Sequence, residues 1–183
     1  MADTQGLTGL PGDRTGDAAS MLRVDHAGEY GAVRIYEGQL AVLGNRHPAS
    51  AEIARMRAQE QVHLDTFDRM IAERRVRPTL MAPIWHVAGY ALGAATALMG
   101  PRAAMACTAA VETEIDRHYA SQARELGDSD PELKVRIEAF AEEEREHKAT
   151  AIAHGAEQAP GYPLLSAAIR AGCRAAIAIS KRI

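Results

Sequence analysis

The segments Glu60-Gln-Val-His63 and Glu144-Arg-Glu-His147 place a glutamate and a histidine three residues apart in two distant parts of the chain. Residues three apart lie on the same face of a helix. Around both segments, apolar residues recur at steps of three and four, which predicts amphipathic helices. Both Glu-x-x-His pairs therefore lie on the side of a helix that should face the core.

Two further segments have the same apolar period, and each carries a single glutamate, Glu29 or Glu112, in the middle of its stripe. Helix ends are predicted at Gly44-Asn45 and Gly127, and a helix start at Asp130-Pro131. The four stripes run through Leu22, His26, Glu29, Val33, Tyr36, Leu40 and Leu43; Ile53, Met56, Glu60, His63, Phe67 and Met70; Met105, Thr108, Glu112, Ile115, Tyr119, Gln122 and Leu126; and Leu133, Ile137, Phe140, Glu144, His147 and Ala151.

The predicted fold class is all-α. A chain of 183 residues with 47% hydrophobic but 4% aromatic residues suits one helical domain, assigned to residues 20–183, after a flexible N-terminal tail at 1–19. A proline-punctuated apolar segment near 78–101 separates the second and third stripes and is too long for a hairpin loop. We therefore expect a ferritin-like four-helix bundle with a long apolar crossover. An additional C-terminal amphipathic helix should run from Leu164 to about Ile179.

Four glutamates in core positions need a cation, because burying one unpaired carboxylate already costs several kcal/mol. The stripes contain no Lys or Arg. At about 1.5 Å rise per residue, each glutamate lies roughly 22 Å from the turn of its hairpin, so all four can meet at one level. Carboxylate and imidazole ligands suit iron or manganese, whereas zinc usually takes fewer ligands. The predicted metal ligands are Glu29, Glu60, His63, Glu112, Glu144 and His147.

Other polar residues have weaker patterns. His26, one turn before Glu29, is a candidate ligand, a candidate hydrogen-bond donor to a ligand, or a packed core residue. Tyr119 and the adjacent His118 are candidates for a pocket near the site, with ordinary core packing equally open for Tyr119. The sequence does not identify the acceptor that holds the second ring nitrogen of each histidine ligand. A solvated face is predicted for Glu52, Glu114, Glu142, Glu143 and Glu146.

Several longer motifs occur along the chain: Arg23-Val-Asp-His-Ala-Gly-Glu-Tyr-Gly-Ala32, Arg34-Ile-Tyr-Glu-Gly-Gln39, Ala106-Cys-Thr-Ala-Ala-Val-Glu112, His118-Tyr119 and Ala171-Gly-Cys-Arg174, together with the Glu-x-x-His of the fourth stripe. Through these motifs the chain resembles the demethoxyubiquinone hydroxylase family over nearly its whole length after residue 19. The resemblance implies the same six ligands, with Glu60 and Glu144 reaching across two irons.

The activity implied by the resemblance is that of an O2-dependent di-iron monooxygenase of ubiquinone biosynthesis. It would hydroxylate the open carbon of a polyprenylated demethoxyubiquinol ring, with two Fe ions per chain, O2 as co-substrate and an external reductant such as NADH. No separate protein acid or base is assigned beside the di-iron centre. The alternatives left open are a ferritin-like ferroxidase or peroxide reductase, a tRNA-modifying di-iron hydroxylase, and a non-catalytic metal-braced quinone or lipid carrier.

A polyprenyl substrate implies contact with a membrane surface. The apolar crossover and the C-terminal helix, whose second side carries Arg170, Arg174 and Lys181, are the segments expected to make it. Because the N-terminus lacks the pattern of a signal peptide, we expect peripheral attachment to the cytoplasmic face of a bacterial inner membrane. The net charge of −3 gives no reason to expect nucleic acid. Protein partners from the same pathway are compatible with the sequence, and the oligomeric state is open.

Overall fold

The computed structural model describes residues 18–45 and 47–183, and within these ranges the chain is all-helical, as predicted. The elements in chain order are α1 (Ala18–Leu43), α2 (Pro48–Glu73), α3 (Ala82–Leu98), α4 (Pro101–Leu126), α5 (Pro131–Ala153), a 3-10 turn (Ala156–Gln158) and α6 (Tyr162–Ser180). The predicted tail at 1–19 lies outside the described residues except for its last two, which are the first residues of α1.

The bundle consists of two helical hairpins, α1–α2 and α4–α5. The first helix ends before Gly44 and the fourth before Gly127, as predicted, and both glycines have positive φ. The predicted start of α5 is also confirmed, because an Asp130 side-chain oxygen accepts a hydrogen bond from Leu133 N–H at 3.1 Å. Both hairpins are therefore closed by the local signals that the sequence carries.

Two apolar clusters fill the bundle, one on each side of the middle turns that carry the glutamates. One cluster includes Leu22, Phe67 and Ile137. The other includes Ile53 and Met105. Burial of these side chains holds the four helices at fixed positions, so that the polar turns between the clusters must face one another.

The crossover is helix α3, which lies along α1 at close range. A Cβ atom added at Gly93 would overlap the carbonyl oxygen of Ile35, and one added at Gly38 would overlap the carbonyl oxygen of Tyr90. Glycines from both helices therefore let the two backbones approach, as small residues do at tight helix crossings. The inner face of α3 is used in this contact, while Ile84 and Leu98 point outward and are exposed.

Helix α6 packs on the bundle through Leu165, Ile169 and Cys173. Two arginines beside this apolar face bind a glutamate of α4, which corrects two expectations. Glu114 was expected to be solvated, but it is 4% exposed and accepts hydrogen bonds from Arg170 at 2.6 Å, Arg174 at 3.1 Å and Arg117 at 3.3 Å. The sequence could not reveal this, because Glu114 lies off the apolar stripe and its two partners on α6 are 56 and 60 residues away. Two of the basic residues of α6 thus bind the bundle and do not form a free cationic face.

The outward side of α6 is apolar and rich in small residues, and it includes Leu164. Among the described residues, α6 is the one helix that is long and apolar enough to cross a membrane, by length and composition alone. The indole N–H of Trp85 donates to the Ser180 hydroxyl at 3.1 Å, so the start of α3 lies against the end of α6. The two segments expected to meet a membrane are therefore neighbours.

Candidate metal centre

The structure brings the six predicted ligands together in the middle of the bundle. Helix α1 contributes Glu29 and α4 contributes Glu112, while α2 and α5 each contribute a Glu-x-x-His pair. None of the six side chains is more than 1% exposed. Their inward orientation follows from helical period, because each occupies a position of its helix that otherwise carries core residues.

The six residues divide into two groups of four. One group contains Glu29, Glu60, His63 and Glu144, and its ligand atoms all lie within 4.8 Å of one another. The other contains Glu60, Glu112, Glu144 and His147 and meets the same distance limit. Glu60 and Glu144 belong to both groups, so each can offer one oxygen to either side. The sharing of these two carboxylates by both groups is compatible with metal binding in the middle of the bundle.

Several short contacts define the centre. His63 Nδ1 lies 3.2 Å from a Glu144 oxygen and 3.5 Å from a Glu29 oxygen. His147 Nδ1 lies 3.0 Å from a Glu60 oxygen and 3.3 Å from the other Glu144 oxygen. The Nδ1 atoms of both histidines therefore face the carboxylates, with their Nε2 atoms pointing away.

Unpartnered polar atoms in this cluster test whether it fits metal ions. Eight buried atoms from the six residues have no hydrogen-bond partner: Glu29 Oε2, both carboxylate oxygens of Glu60, His63 Nδ1, Glu112 Oε2, both carboxylate oxygens of Glu144, and His147 Nδ1. Buried polar atoms without partners are rare in proteins and need an explanation. Every residue of the cluster has at least one, all on inward-facing ligand atoms, so the residues present fit a pair of divalent cations.

Burial and mutual repulsion disfavour the ionised forms of the clustered carboxylates. Burial, reinforced by repulsion from the neighbouring carboxylates, raises the pKa of Glu60 and Glu112 well above the usual value. Burial also acts to raise the pKa of Glu144, but the adjacent imidazole rings of His147 and His63 hold that pKa at about 2. Burial tends to lower the pKa of His63, but its carboxylate partners raise it to about 11. A metal entering the cluster must therefore displace protons, which makes its affinity dependent on pH.

The outer nitrogens of the two histidines are held by residues from the opposite hairpin. His63 Nε2 donates to a carboxylate oxygen of Glu143 at 3.0 Å. His147 Nε2 donates to the side-chain carbonyl of Gln59 at 3.0 Å. These contacts leave each Nδ1 free to bind a cation. Glu143 was expected to be merely solvated, and although it is partly exposed it has this specific contact.

Sequence reasoning missed both acceptors, yet a signal was present. Gln59 and Glu143 each directly precede the glutamate of a Glu-x-x-His pair. Each contacts the histidine of the other pair, so the two residues occupy matching positions in the two Glu-x-x-His segments.

A second pair of reciprocal contacts joins α1 and α4. The hydroxyl of Tyr36 donates to Glu112 at 2.9 Å, and the hydroxyl of Tyr119 donates to Glu29. Each tyrosine lies seven residues after a glutamate ligand on its own helix and contacts the glutamate of the other helix. Tyr119 was a candidate from the sequence, whereas Tyr36 was seen only as part of the apolar stripe.

The remaining candidates, His26 and His118, contact carboxylates outside the six-residue cluster. His26 Nε2 lies 2.9 Å from an Asp68 oxygen on α2. His118 Nε2 lies 3.2 Å from an Asp25 oxygen, which also accepts a hydrogen bond from Gln122 at 2.8 Å. Burial raises the pKa of Asp25, although its contacts with His118 and Gln122 act against this. These residues form a polar layer one turn away from the cluster.

Comparison with known proteins identifies a set of relatives along nearly the whole chain. Residues 17–180 match the family model described as "Ubiquinone biosynthesis protein COQ7". The chain is 56% identical over 176 residues to the "3-demethoxyubiquinol 3-hydroxylase" of Rhodospirillum rubrum, covering 95% of this chain and 83% of that protein.

Two eukaryotic relatives extend the comparison. The mouse "NADPH-dependent 3-demethoxyubiquinone 3-hydroxylase, mitochondrial" is 53% identical over 167 residues, covering 88% of this chain and 76% of that protein. The Saccharomyces cerevisiae "5-demethoxyubiquinone hydroxylase, mitochondrial" is 40% identical over 179 residues, covering 89% and 77%. The names of all three relatives describe hydroxylases that act on a demethoxyubiquinone or its quinol.

Proposed function

The chain belongs to the COQ7 family of ubiquinone biosynthesis proteins, and we propose that it hydroxylates a demethoxyubiquinol ring with two iron ions bound by its six clustered ligands. It is a hydroxylase and thus an oxidoreductase of the monooxygenase type. The proposed iron centre is supported above all by the two groups of four ligand residues that share Glu60 and Glu144.

The protein's own side chains have defined tasks in this proposal. Glu29 and His63 would hold one ion, and Glu112 and His147 the other, while Glu60 and Glu144 would bridge them. Tyr36 and Tyr119 fix the terminal carboxylates by hydrogen bonds. The apolar clusters on both sides of the centre exclude bulk water. Bound as Fe²⁺, the ions would supply two electrons for the cleavage of O2, so that one oxygen atom enters the ring and the other leaves as water.

The direct test loads the protein with Fe²⁺ under anaerobic conditions and measures metal content. A short-tailed demethoxyubiquinol analogue, ¹⁸O2 and either NADH or NADPH are then added. The sequence leaves the reductant open, with NADH as one candidate, whereas the mouse relative is named NADPH-dependent. We expect about two irons per chain and a product that carries one ¹⁸O atom. Two irons without a hydroxylated product would contradict the hydroxylase and favour a ferroxidase or peroxide reductase.

A matched pair of variants assigns the ligands. Glu112→Ala should lose iron and activity while remaining helical. Glu138→Ala removes an exposed glutamate of α5 and should retain both. Full activity in Glu112→Ala would contradict the assignment.

We also propose that the protein attaches peripherally to a membrane through the outer faces of α3 and α6. Val87, Leu98 and Met99 on or next to α3 are more than half exposed, as is Leu164 on α6. A contiguous exposed apolar surface marks an interaction site, and a polyprenyl tail is dissolved in lipid. Attachment at the cytoplasmic face of a bacterial inner membrane remains the prediction from the sequence.

Flotation with phosphatidylcholine vesicles tests this attachment. Leu98→Glu should reduce vesicle binding, because a charge on this face would have to enter the apolar layer. Val62→Glu and Val135→Glu place the same charge at apolar positions of α2 and α5 that are also more than half exposed, and these variants should bind like the parent. Equal loss in all three variants would contradict a role specific to α3.

A further inference from the structure

The two halves of the candidate metal centre are matched in most of their contacts. Each half has one terminal glutamate that accepts a hydrogen bond from a tyrosine, one histidine that presents Nδ1, and both bridging carboxylates. The halves differ in the residue that holds the outer nitrogen of the histidine, which is Glu143 for His63 and Gln59 for His147.

In the His63 half, the acceptor is a carboxylate. A histidine that donates its outer N–H to a carboxylate becomes a stronger ligand through its other nitrogen, because the negative charge stabilises positive charge on the ring. Glu143 is partly exposed, so water weakens its long-range effect but leaves the direct hydrogen bond in place. His63 is further fixed by stacking on Phe140, with ring centroids 3.9 Å apart.

In the His147 half, the acceptor is a neutral amide oxygen that is already shared. Arg55 Nη1 donates to the same Gln59 oxygen at 2.7 Å. The cationic Arg55 competes with His147 for the electron density of this oxygen. The hydrogen bond from the His147 N–H to Gln59 is therefore weaker. The charge of Arg55 is partly balanced by Glu52, 3.0 Å from its Nε, but the direct contact with Gln59 remains.

We propose that the two metal positions are inequivalent: the position at His63 binds a divalent metal more tightly and fills first, and Glu143 and Gln59 are the positioning residues that set this order. The inference rests on the proposed metal centre. It goes further by assigning functions to two residues that contact no metal and by predicting an ordered filling of the centre.

Titration with Mn²⁺ tests the order without any measurement of activity. Isothermal titration calorimetry of the metal-free protein should show two steps of unequal affinity that add up to two ions per chain. Crystals grown with one equivalent of Mn²⁺ should then show, in an anomalous difference map, a stronger peak between Glu29 and His63 than between Glu112 and His147.

Exchange of the two acceptors gives a sharper test. Glu143→Gln should weaken the tighter step roughly 10-fold, the lower end of the range for residues that hold metal ligands. Gln59→Glu should strengthen the weaker step. The double variant should again show two unequal steps, with the stronger anomalous peak now at His147. Because it retains the overall charge and composition, this reversal cannot arise from a general loss of stability.

Glu142→Gln is the matched control. It removes one carboxylate from the residue next to Glu143, but Glu142 contacts Arg145 and is mostly exposed. It should leave both steps unchanged.

Equal affinities in the parent, filling of the His147 position first, or identical effects of Glu143→Gln and Glu142→Gln would each overturn the inference. Failure of the metal centre itself would look different, because Mn²⁺ and Fe²⁺ would then bind in neither step. Two bound ions of equal affinity would overturn the ordered filling while leaving the proposed function intact.

Discussion

Tyr36 on α1 donates a hydrogen bond of 2.9 Å to Glu112 on α4, and so fixes a carboxylate that belongs to the opposite hairpin. Its ring is buried in the apolar cluster with Ile53 and Met56. Because Tyr119 and Glu29 form the reciprocal contact, the two hairpins are joined across the candidate centre by two tyrosine–glutamate pairs.

Tyr36→Phe should preserve the packing of the ring but leave Glu112 without its donor. We expect the free energy of unfolding to fall by roughly 1–3 kcal/mol, the usual cost of leaving a buried polar group without its partner. Urea unfolding of metal-free protein measures this. Tyr30→Phe removes a hydroxyl that contacts His86 near the surface and should have a smaller effect. Equal losses of unfolding free energy in the two variants would show that the buried hydrogen bond contributes no more stability than the exposed one.

Glu60→Gln should have opposite effects on the two forms of the protein. Without metal it removes a carboxyl whose ionised form is disfavoured by burial and by the neighbouring carboxylates, so the variant should be more stable than the parent. With Mn²⁺ it should lose the stabilisation that metal binding gives the parent. Thermal unfolding with and without Mn²⁺ measures both. Glu73→Gln changes an exposed glutamate of the same helix and should respond to Mn²⁺ like the parent.

Gly93→Ala should force α1 and α3 apart, because the added Cβ overlaps the carbonyl oxygen of Ile35. Overpacking of this kind typically costs about 1–3 kcal/mol. Gly172→Ala on α6 is the control, since a Cβ there meets no atom within 4 Å. It should be neutral or stabilising by up to about 1 kcal/mol through helix propensity. A Gly93→Ala variant as stable as the control would disprove the close approach of the two backbones.

Glu114→Ala should loosen α6 from the bundle, because it removes the shared acceptor of Arg170 and Arg174. The arginines remain partly exposed and can turn to water, so we expect a moderate loss. Hydrogen exchange should become faster in α6 while α2 stays protected. Glu125→Ala, an exposed change near the end of α4, should leave α6 unaffected. Unchanged exchange in Glu114→Ala would mean that apolar contacts alone hold α6.

Asp130 should contribute stability that depends on pH. Partial burial tends to raise the pKa of its carboxyl, but hydrogen bonds from Arg74 and from Leu133 N–H hold that pKa below its ordinary value of 3.8. A carboxyl whose pKa is lower in the folded state contributes stability above the unfolded pKa and loses it as pH falls through the folded pKa.

Asp130→Ala should therefore be less stable than the parent by about 1 kcal/mol at pH 7, the usual value for an N-cap. The difference should shrink below roughly pH 4 and vanish in stronger acid. Urea unfolding between pH 3 and pH 7 measures it, with the exposed Asp128→Ala as control. A difference that stays constant over this range would mean that the carboxyl does not titrate with folding.

The local features of this protein could be predicted from its sequence because they depend on residues that are close together along the chain. Helical period placed all six inward residues, and Gly44, Gly127 and Asp130 marked helix boundaries through backbone preferences that act over a few residues. The crossover was predicted as an apolar segment, but its close contact with α1 required the positions of Gly38 and Gly93 in space.

The sequence by itself thus determined the all-helical class, the family resemblance and the six residues that gather in the core, since each is encoded by a repeat along one helix or by a short motif. Only the tertiary structure decided which residues contact them: Tyr36 contacts Glu112, Glu143 contacts His63, and Gln59 contacts His147. It also decided that the arginines of α6 bind Glu114. Each of these contacts joins different helices, and its geometry depends on the crossing of packed helices, which no local pattern along the chain specifies.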